Sequence, residues 1–213
     1  MQSQSPRRAL IVIDVQNEYV SGALRIEYPP VEGSLLAIAR AMDHAKSSGV
    51  PIVVVQNRAP ASSPLFSQGS HGWELHQTVA RRHRDHLLHK ELPSALARTE
   101  LREWLVQRAI DTVTITGYMT HNCDLATAVD ATQAGYAVEL VSDATGSVPY
   151  TNAAGSATAQ QIHDAVCVVM HSRFAAVVTT RQWMDAVTAG ERLARGSIHA
   201  SHTDALRLRK HVT

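Results

Sequence analysis

Short runs of β-branched and aliphatic residues alternate along this chain with longer stretches whose apolar residues fall at helical spacing. That alternation decides most of what the chain can fold into. Ala9–Val15 (ALIVIDV) is apolar throughout apart from Asp14, without the in-and-out pattern of a strand that has one wet face. It therefore predicts a strand buried on both sides. Val50–Gln56 (VPIVVVQ), Thr112–Gly117 (TVTITG), Tyr136–Ser142 (YAVELVS) and Ala175–Thr179 (AAVVT) predict further strands, and Leu87–Lys90 a short one. Between the first two, Val31–Ser48 sets Leu35, Leu36, Ala39, Met42 and Ala45 on one helical stripe that stops at Gly49. Arg98–Arg108, Asn122–Ala134 and Ser156–Met170 predict three more helices, the last with Ile162, Ala165, Val166, Val169 and Met170 on its apolar face. Strands and helices in such alternation mean βαβ units, right-handed crossovers and a mostly parallel sheet with helices on both faces.

At 213 residues the chain fits one domain of ordinary size, and 45% apolar residues suffice for its core. Charged residues make up 18% and the formal net charge is +1, so no strong field for nucleic acid or membrane is present. With 5% aromatic residues, stacking platforms for single-stranded nucleic acid are not expected either. The start, MQSQSPRR, is polar and basic, and the apolar run behind it is interrupted by Asp14 and too short for a secretory signal. No segment approaches the ~18 apolar residues of a membrane span. Cys123 and Cys167 are too few for a disulfide scaffold, which places the chain in the cytoplasm with reduced thiols. The domain is expected over 1–190. The tail, 191–213, is basic and weakly apolar: an arm onto a partner subunit or a disordered end. Asn57–Gly72 holds two Pro, two Gly and four Ser and reads as a long loop of the kind that often carries function.

In a parallel sheet, ligands bind beyond the carboxyl ends of the strands. Asp14, Gln16 and Asn17 follow the first strand, Lys90 ends the third, and Gly117-Tyr-Met-Thr-His-Asn-Cys123 follows the fourth. Cys123 opens a helix, where the dipole and unpaired backbone N–H groups favour thiolate and can receive an oxyanion. A carboxylate such as Asp14 at the end of an apolar strand is costly unless paired. A lysine beside both would favour the thiolate. Each residue alone has an ordinary reading: Cys123 as a small core residue, Asp14 as a cap, Lys90 as a solvated charge. Together they make a cysteine nucleophile with an acid/base partner. Gln16 supports the site rather than reacting.

Tyr19, Phe66 and Tyr150 lie on predicted loops near strand ends, where they line an apolar pocket or pack in the core or an interface; His121, adjacent to the site, touches substrate or faces solvent. Cys167 falls on the apolar face of its helix and is expected to be buried. The histidines at 83, 86 and 89, spaced by three, and those at 71 and 76 invite a metal site. Arg81, Arg82 and Arg84 among them would repel a cation, so no metal or other cofactor is expected.

ALIVIDVQNEY (9–19), HKELPSALARTEL (89–101) and GYMTHNCDLATAVDATQAGYAVELVSDATGS (117–147) also resemble the three motifs of the isochorismatase-like, or cysteine hydrolase, superfamily, in order. The resemblance runs from about residue 8 to 185 and implies a three-layer α/β/α sandwich with a six-stranded, mostly parallel, Rossmann-like sheet. It implies a catalytic triad of Asp14, Lys90 and Cys123, and a cis peptide between Tyr118 and Met119 that aims the Met119 N–H, with that of Cys123, at one oxyanion. It also implies association into homodimers or larger homo-oligomers. Nicotinamidases of the family carry an Asp-x-His metal motif shortly after the second strand. Gln56-Asn57-Arg58 stands there in this chain, which argues against both metal and nicotinamide. Members that cleave isochorismate's vinyl ether can lack the cysteine, so Cys123 favours acyl chemistry. PLFSQGSHGWELH (64–76), PYTNAAGSATAQQIH (149–163) and SRFAAV (172–177) are similar to a branch near streptothricin hydrolase, a lactam-opening enzyme, implying a lactam or other small-molecule amide substrate.

Three alternatives remain at this stage: a vinyl-ether hydrolase, a silent binding or scaffold member of the same fold, and a redox-active thiol protein. Thiol-dependent turnover excludes the scaffold. Activity in excess reductant without an electron acceptor excludes the redox role, and no resolving cysteine lies near Cys123 in sequence.

Overall fold

The computed structural model describes residues 5–210. β1 (Arg8–Ile13) leads through a 3₁₀ turn at Asn17–Tyr19 to α1 (Val31–Ser47), β2 (Ile52–Asn57) and the short α2 (Gln77–Ala80). Then come β3 (His86–Lys90), α3 (Leu101–Gln107), β4 (Thr112–Tyr118), a π-helical turn at Thr120–Asp124 and α4 (Leu125–Gln133). β5 (Ala137–Gly146), the hairpin β6 (Tyr150–Asn152) and β7 (Gly155–Ala157), α5 (Ala159–Arg173), β8 (Ala176–Val178), α6 (Thr180–Ala189) and α7 (Ile198–Lys210) complete the chain.

Six strands form one sheet in the order β3-β2-β1-β4-β5-β8, every pair parallel. Side chains alternate across it. Leu10, Val12, Ile52 and Val54 meet Ile38 and Met42 of α1 and Trp183 of α6 on one face. Ala9, Ile11, Ile13, Val53 and Val55 meet Leu105 of α3, Ala128 of α4 and Met170 of α5 on the other. The result is a three-layer α/β/α sandwich. From β1 the chain builds outward to β3, returns to β4 beside β1, and builds outward the other way. In parallel sheets ligands bind at such a reversal, here beyond the carboxyl ends of β1 and β4.

At the opposite edge, β1 and β5 are locked by a buried ion pair. Arg8 donates to Glu139 at 2.9–3.1 Å, and Glu139 also accepts from Thr114 and from the Trp183 indole. Arg8 further donates to the Glu191 carbonyl, so the segment after α6 is tied to the first strand.

Several features depart from the expectations, and three concern the C-terminal segment and α5. The chain beyond Gly190 folds back: the Gly196 N–H donates to the His171 carbonyl, and α7 packs against α5. α5 begins three residues later than expected, after the Thr158 capping box with Gln161, because the hairpin takes Tyr150–Ala157. Its buried face is also rotated. Ala159, His163 and Met170 are buried, whereas Ala165 and Val169 of the expected stripe are exposed, Val169 by 53%. The rotation lets His163 reach Thr120 at 3.0 Å.

Gly117 is required where β4 passes β1. It sits at φ 115°, and a Cβ there would collide with the Ile13 backbone carbonyl. Gly117→Ala is expected to cost at least ~3 kcal/mol from backbone strain and overpacking. Gly33→Ala, at a position in α1 with open space around it, is expected to gain up to ~1 kcal/mol from helix propensity. Denaturant midpoints of the two variants check both signs.

Candidate active site

β1 ends and the backbone turns at once: Asp14 adopts φ 52°, a left-handed conformation that aspartate tolerates better than most residues. Its N–H is held by the Val55 carbonyl and its carbonyl by the Gln16 N–H. Lys90 stands at the end of β3, two strands away, roughly 10 Å across the sheet, so only a long side chain spans the gap. Leu88 and Lys90 are the buried residues of β3, on the sheet face that Cys123 packs against. Cys123 lies in the π-helical turn, where Asn122 and Asp124 both donate backbone N–H groups to the Met119 carbonyl.

These three side chains meet. Lys90 Nζ lies 2.7 Å from Asp14 Oδ2 and 3.2 Å from Cys123 Sγ. The group is nearly sealed, with Asp14, Lys90 and Cys123 exposed by 0, 2 and 5%. Burial pushes the Asp14 carboxyl above the usual carboxylate range, and the Lys90 ammonium opposes it. Burial alone would lower Lys90, but the charges of Asp14 and Cys123 hold its ammonium above the ordinary lysine value. The Cys123 thiol is pushed up by burial and by the Asp14 carboxylate, against the pull of Lys90. The geometry is that of a buried Asp14–Lys90 ion pair beside the Cys123 thiol. Asp14 Oδ1 has no hydrogen-bond partner among the described residues.

The Tyr118–Met119 peptide is cis, and the Met119 N–H has no acceptor among the described residues. Gln16, also buried, fixes the surrounding loops: it donates to the Asn57 and Trp73 carbonyls at 2.9 and 2.6 Å and accepts from the Asn57 N–H at 3.0 Å.

The expected pocket residues fall into two aromatic pairs. Tyr19 packs on Phe66 with ring centroids 5.1 Å apart, and His121 meets Tyr150 edge-on at 5.0 Å. Burial raises both the Tyr19 and the Tyr150 hydroxyl, so both stay protonated. Burial holds His121 neutral, lowered to about 4.

The histidines at 83, 86 and 89 do not converge: His83 faces Asp85, His86 faces Glu100 and His89 stacks on Trp73. Among the described residues no group of three or more His, Cys, Asp or Glu is placed to hold a metal ion. Cys167 is only half-buried, a correction to its expected burial. It sits where α5 meets the core edge, its Sγ 3.6 Å from His163 Nε2.

Two residues near the nucleophile were missed from sequence. Asp124 is fully buried, neither carboxylate oxygen has a partner among the described residues, and burial pushes its carboxyl well above the ordinary range. Its place directly after Cys123, facing inward beside α4's small residues Ala128 and Ala131, was the available signal. Ser147, fully buried, meets His121 Nδ1 at 3.0 Å, and nothing in the sequence pattern marked it.

Lys90→Met would leave Asp14 buried without its counter-charge, at a cost of about 3–5 kcal/mol near pH 7. A carboxyl whose folded-state pKa is raised holds its proton more tightly when folded. Stability is then greatest at low pH and falls as pH climbs from the unfolded value of ~3.9 towards the folded one. The difference between Lys90→Met and the unaltered protein should accordingly shrink as pH is lowered from 7 to 4, measured by urea denaturation. An equal difference at both pH values would mean that Lys90 does not neutralise a buried Asp14.

Comparison with known proteins matches the Isochorismatase domain family to residues 8–182. A crystal structure of an isochorismatase-family protein from Burkholderia xenovorans LB400 is 59% identical, covers 97% of this chain and 100% of its own, and superposes with a TM-score of 0.96. A streptothricin hydrolase of Streptomyces noursei is 32% identical over 171 residues, 79% of this chain and 58% of its own length. The nicotinamidase of Escherichia coli strain K12 is 26% identical over 176 residues, 65% of this chain and 82% of its own. No helix among the described residues is long and apolar enough to cross a membrane. The chain is a hydrolase that belongs to the isochorismatase family.

Proposed function

We propose that this protein hydrolyses a C–N bond of a small amide or lactam through a Cys123 thioester. The observation that carries this reading is the sealed contact of three groups: Asp14 to Lys90 at 2.7 Å and Lys90 to Cys123 at 3.2 Å. The Asp14 carboxylate takes the Cys123 proton and the thiolate attacks the acyl carbon. The Met119 and Cys123 N–H groups receive the oxyanion. Protonated Asp14 gives its proton to the leaving nitrogen as the C–N bond breaks. Water, deprotonated by Asp14, then opens the thioester and restores the thiol. Lys90 holds the negative charge on Asp14 and sulfur throughout.

The relatives that act on amides, streptothricin hydrolase and nicotinamidase, support this class of reaction, and the presence of Cys123 favours it over vinyl-ether cleavage. Tyr19, Phe66, His121 and Tyr150 form the substrate's walls. The two free cysteines suit a reducing cytoplasm. Val168 and Val169, 66 and 53% exposed on α5, suit association between copies.

Release of ammonia or amine from a panel of amides, lactams, ureas and carbamates tests the reading. Cys123→Ala is expected to lower kcat/KM by at least ~10³-fold and Asp14→Asn by ~10²–10⁴-fold. Intact-mass detection of an acyl adduct should succeed only with Cys123 present. Equal turnover by the protein and its Cys123→Ala variant would sink the mechanism.

A further inference from the structure

His121 stands two positions before the nucleophile, in the same π-helical turn. Its Nδ1 lies 3.0 Å from Ser147 Oγ, and Ser147 is fully buried. That hydroxyl has no other partner among the described residues, so its proton has one acceptor available, the His121 Nδ1 lone pair. Were Nδ1 to carry the proton instead, the serine O–H would be buried without an acceptor. The tautomer assigned by this bond leaves the proton on Nε2. Ser147 cannot drift away: its N–H donates to the Tyr28 carbonyl at 2.8 Å and its carbonyl accepts from the Glu27 N–H at 3.0 Å. Tyr150 fixes the imidazole plane from the side.

His121 Nε2 is itself buried and has no partner among the described residues. A buried N–H without an acceptor is unfavourable unless a bound molecule supplies one.

The charges around the site set a second condition. Asp14 and Lys90 compensate one another at 2.7 Å, and burial disfavours charge on both His121 and Asp124. Arg58, which follows β2, is at the exposed surface and paired with Glu91 at 3.0 Å. A substrate carboxylate brought beside Asp14 and the incipient thiolate would find no unpaired cation among these groups. In a site this dry, that is strongly unfavourable.

We propose that His121, oriented by Ser147, is a specificity-determining donor, and that the substrate is an uncharged amide with a second hydrogen-bond acceptor near the scissile carbonyl, as in a cyclic imide or a ureide. The proposal rests on the amide-hydrolase reading above. The scissile carbonyl goes to the Met119 and Cys123 N–H groups and the second acceptor to His121 Nε2–H. The flat ring lies between the Tyr19–Phe66 and His121–Tyr150 pairs.

Calorimetric binding to the Cys123→Ala protein tests recognition apart from chemistry, with glutarimide, 2-piperidone (which lacks the second carbonyl) and the anionic N-carbamoylglycine as probes. Glutarimide should bind ~10-fold or more tightly than 2-piperidone, the effect of one well-placed hydrogen bond, and N-carbamoylglycine most weakly. His121→Phe, which keeps a ring against Tyr150, should bring glutarimide and 2-piperidone to within ~2-fold of each other. Ser147→Ala, which frees the tautomer, should narrow the gap too. Equal binding of the two cyclic probes, a preference that survives His121→Phe, tightest binding of N-carbamoylglycine, or no binding of any probe would overturn the proposal. If the preference appears but protein with Cys123 cleaves no amide, recognition stands and the hydrolase reading falls. If amides are cleaved without the preference, the reverse holds.

Discussion

A carboxylate and an ammonium withdrawn from water at the mouth of a parallel sheet depend on one another, and the centre of this protein is organised around that dependence. Asp14 has no exposure to solvent, and Lys90 reaches it from two strands away. Neither would be tolerable alone, because desolvation of each ion costs more than ordinary side-chain contacts return. The strand order matters here: β1 is central and β3 is the edge, so the lysine can leave the edge and cross beneath β2 to the middle of the sheet. The left-handed turn at Asp14, and the clamp of Gln16 on the Asn57 and Trp73 backbone, keep the acceptor in place. Cys123 then needs only the π-helical turn after β4 to arrive at the same point.

Much of this was legible in the sequence, and the reasons differ by element. β1, β2 and β4 were readable because a strand buried on both faces leaves an unbroken apolar run, and each begins or ends within about two residues of its expected bounds. Asp14, Lys90 and Cys123 were readable because each interrupts or follows such a run with a residue type that burial does not favour. α6 was missed although Thr179 and Gln182 form a capping box visible as Thr-x-x-Gln, the same signal that starts α5. The face of α5 was misread because periodicity counts apolar residues, whereas the buried position is held by His163 through a hydrogen bond to Thr120. Local pattern carries no information about such a partner. The same limit applies to Ser147, whose hydroxyl matters only through an imidazole 26 positions earlier in the chain.

The two ends of the sheet have opposite characters. Beyond the carboxyl ends, the buried Asp14–Lys90 pair sits where polar atoms of Asp14, His121 and Asp124 have no partner among the described residues. At the amino ends, Arg8 and Glu139 are saturated by Thr114, Trp183 and a backbone carbonyl. A satisfied polar network rigidifies, whereas an unsatisfied one retains capacity for a ligand. The molecule thus concentrates its completed hydrogen bonds where the chain must hold and its incomplete ones where a molecule must be received.

The seclusion of Cys123 has a consequence for survival as well as for selectivity. A thiol that is 5% exposed and whose burial disfavours the thiolate presents little to peroxide or to adventitious electrophiles, which attack thiolates that solvent can reach. In the mechanism proposed above, the sulfur becomes nucleophilic when Asp14 draws its proton. Burial pushes the Cys167 thiol up to about 12 as well, so exposure alone separates the two, and oxidative wear should fall first on the half-buried Cys167, leaving Cys123 as the longer-lived thiol.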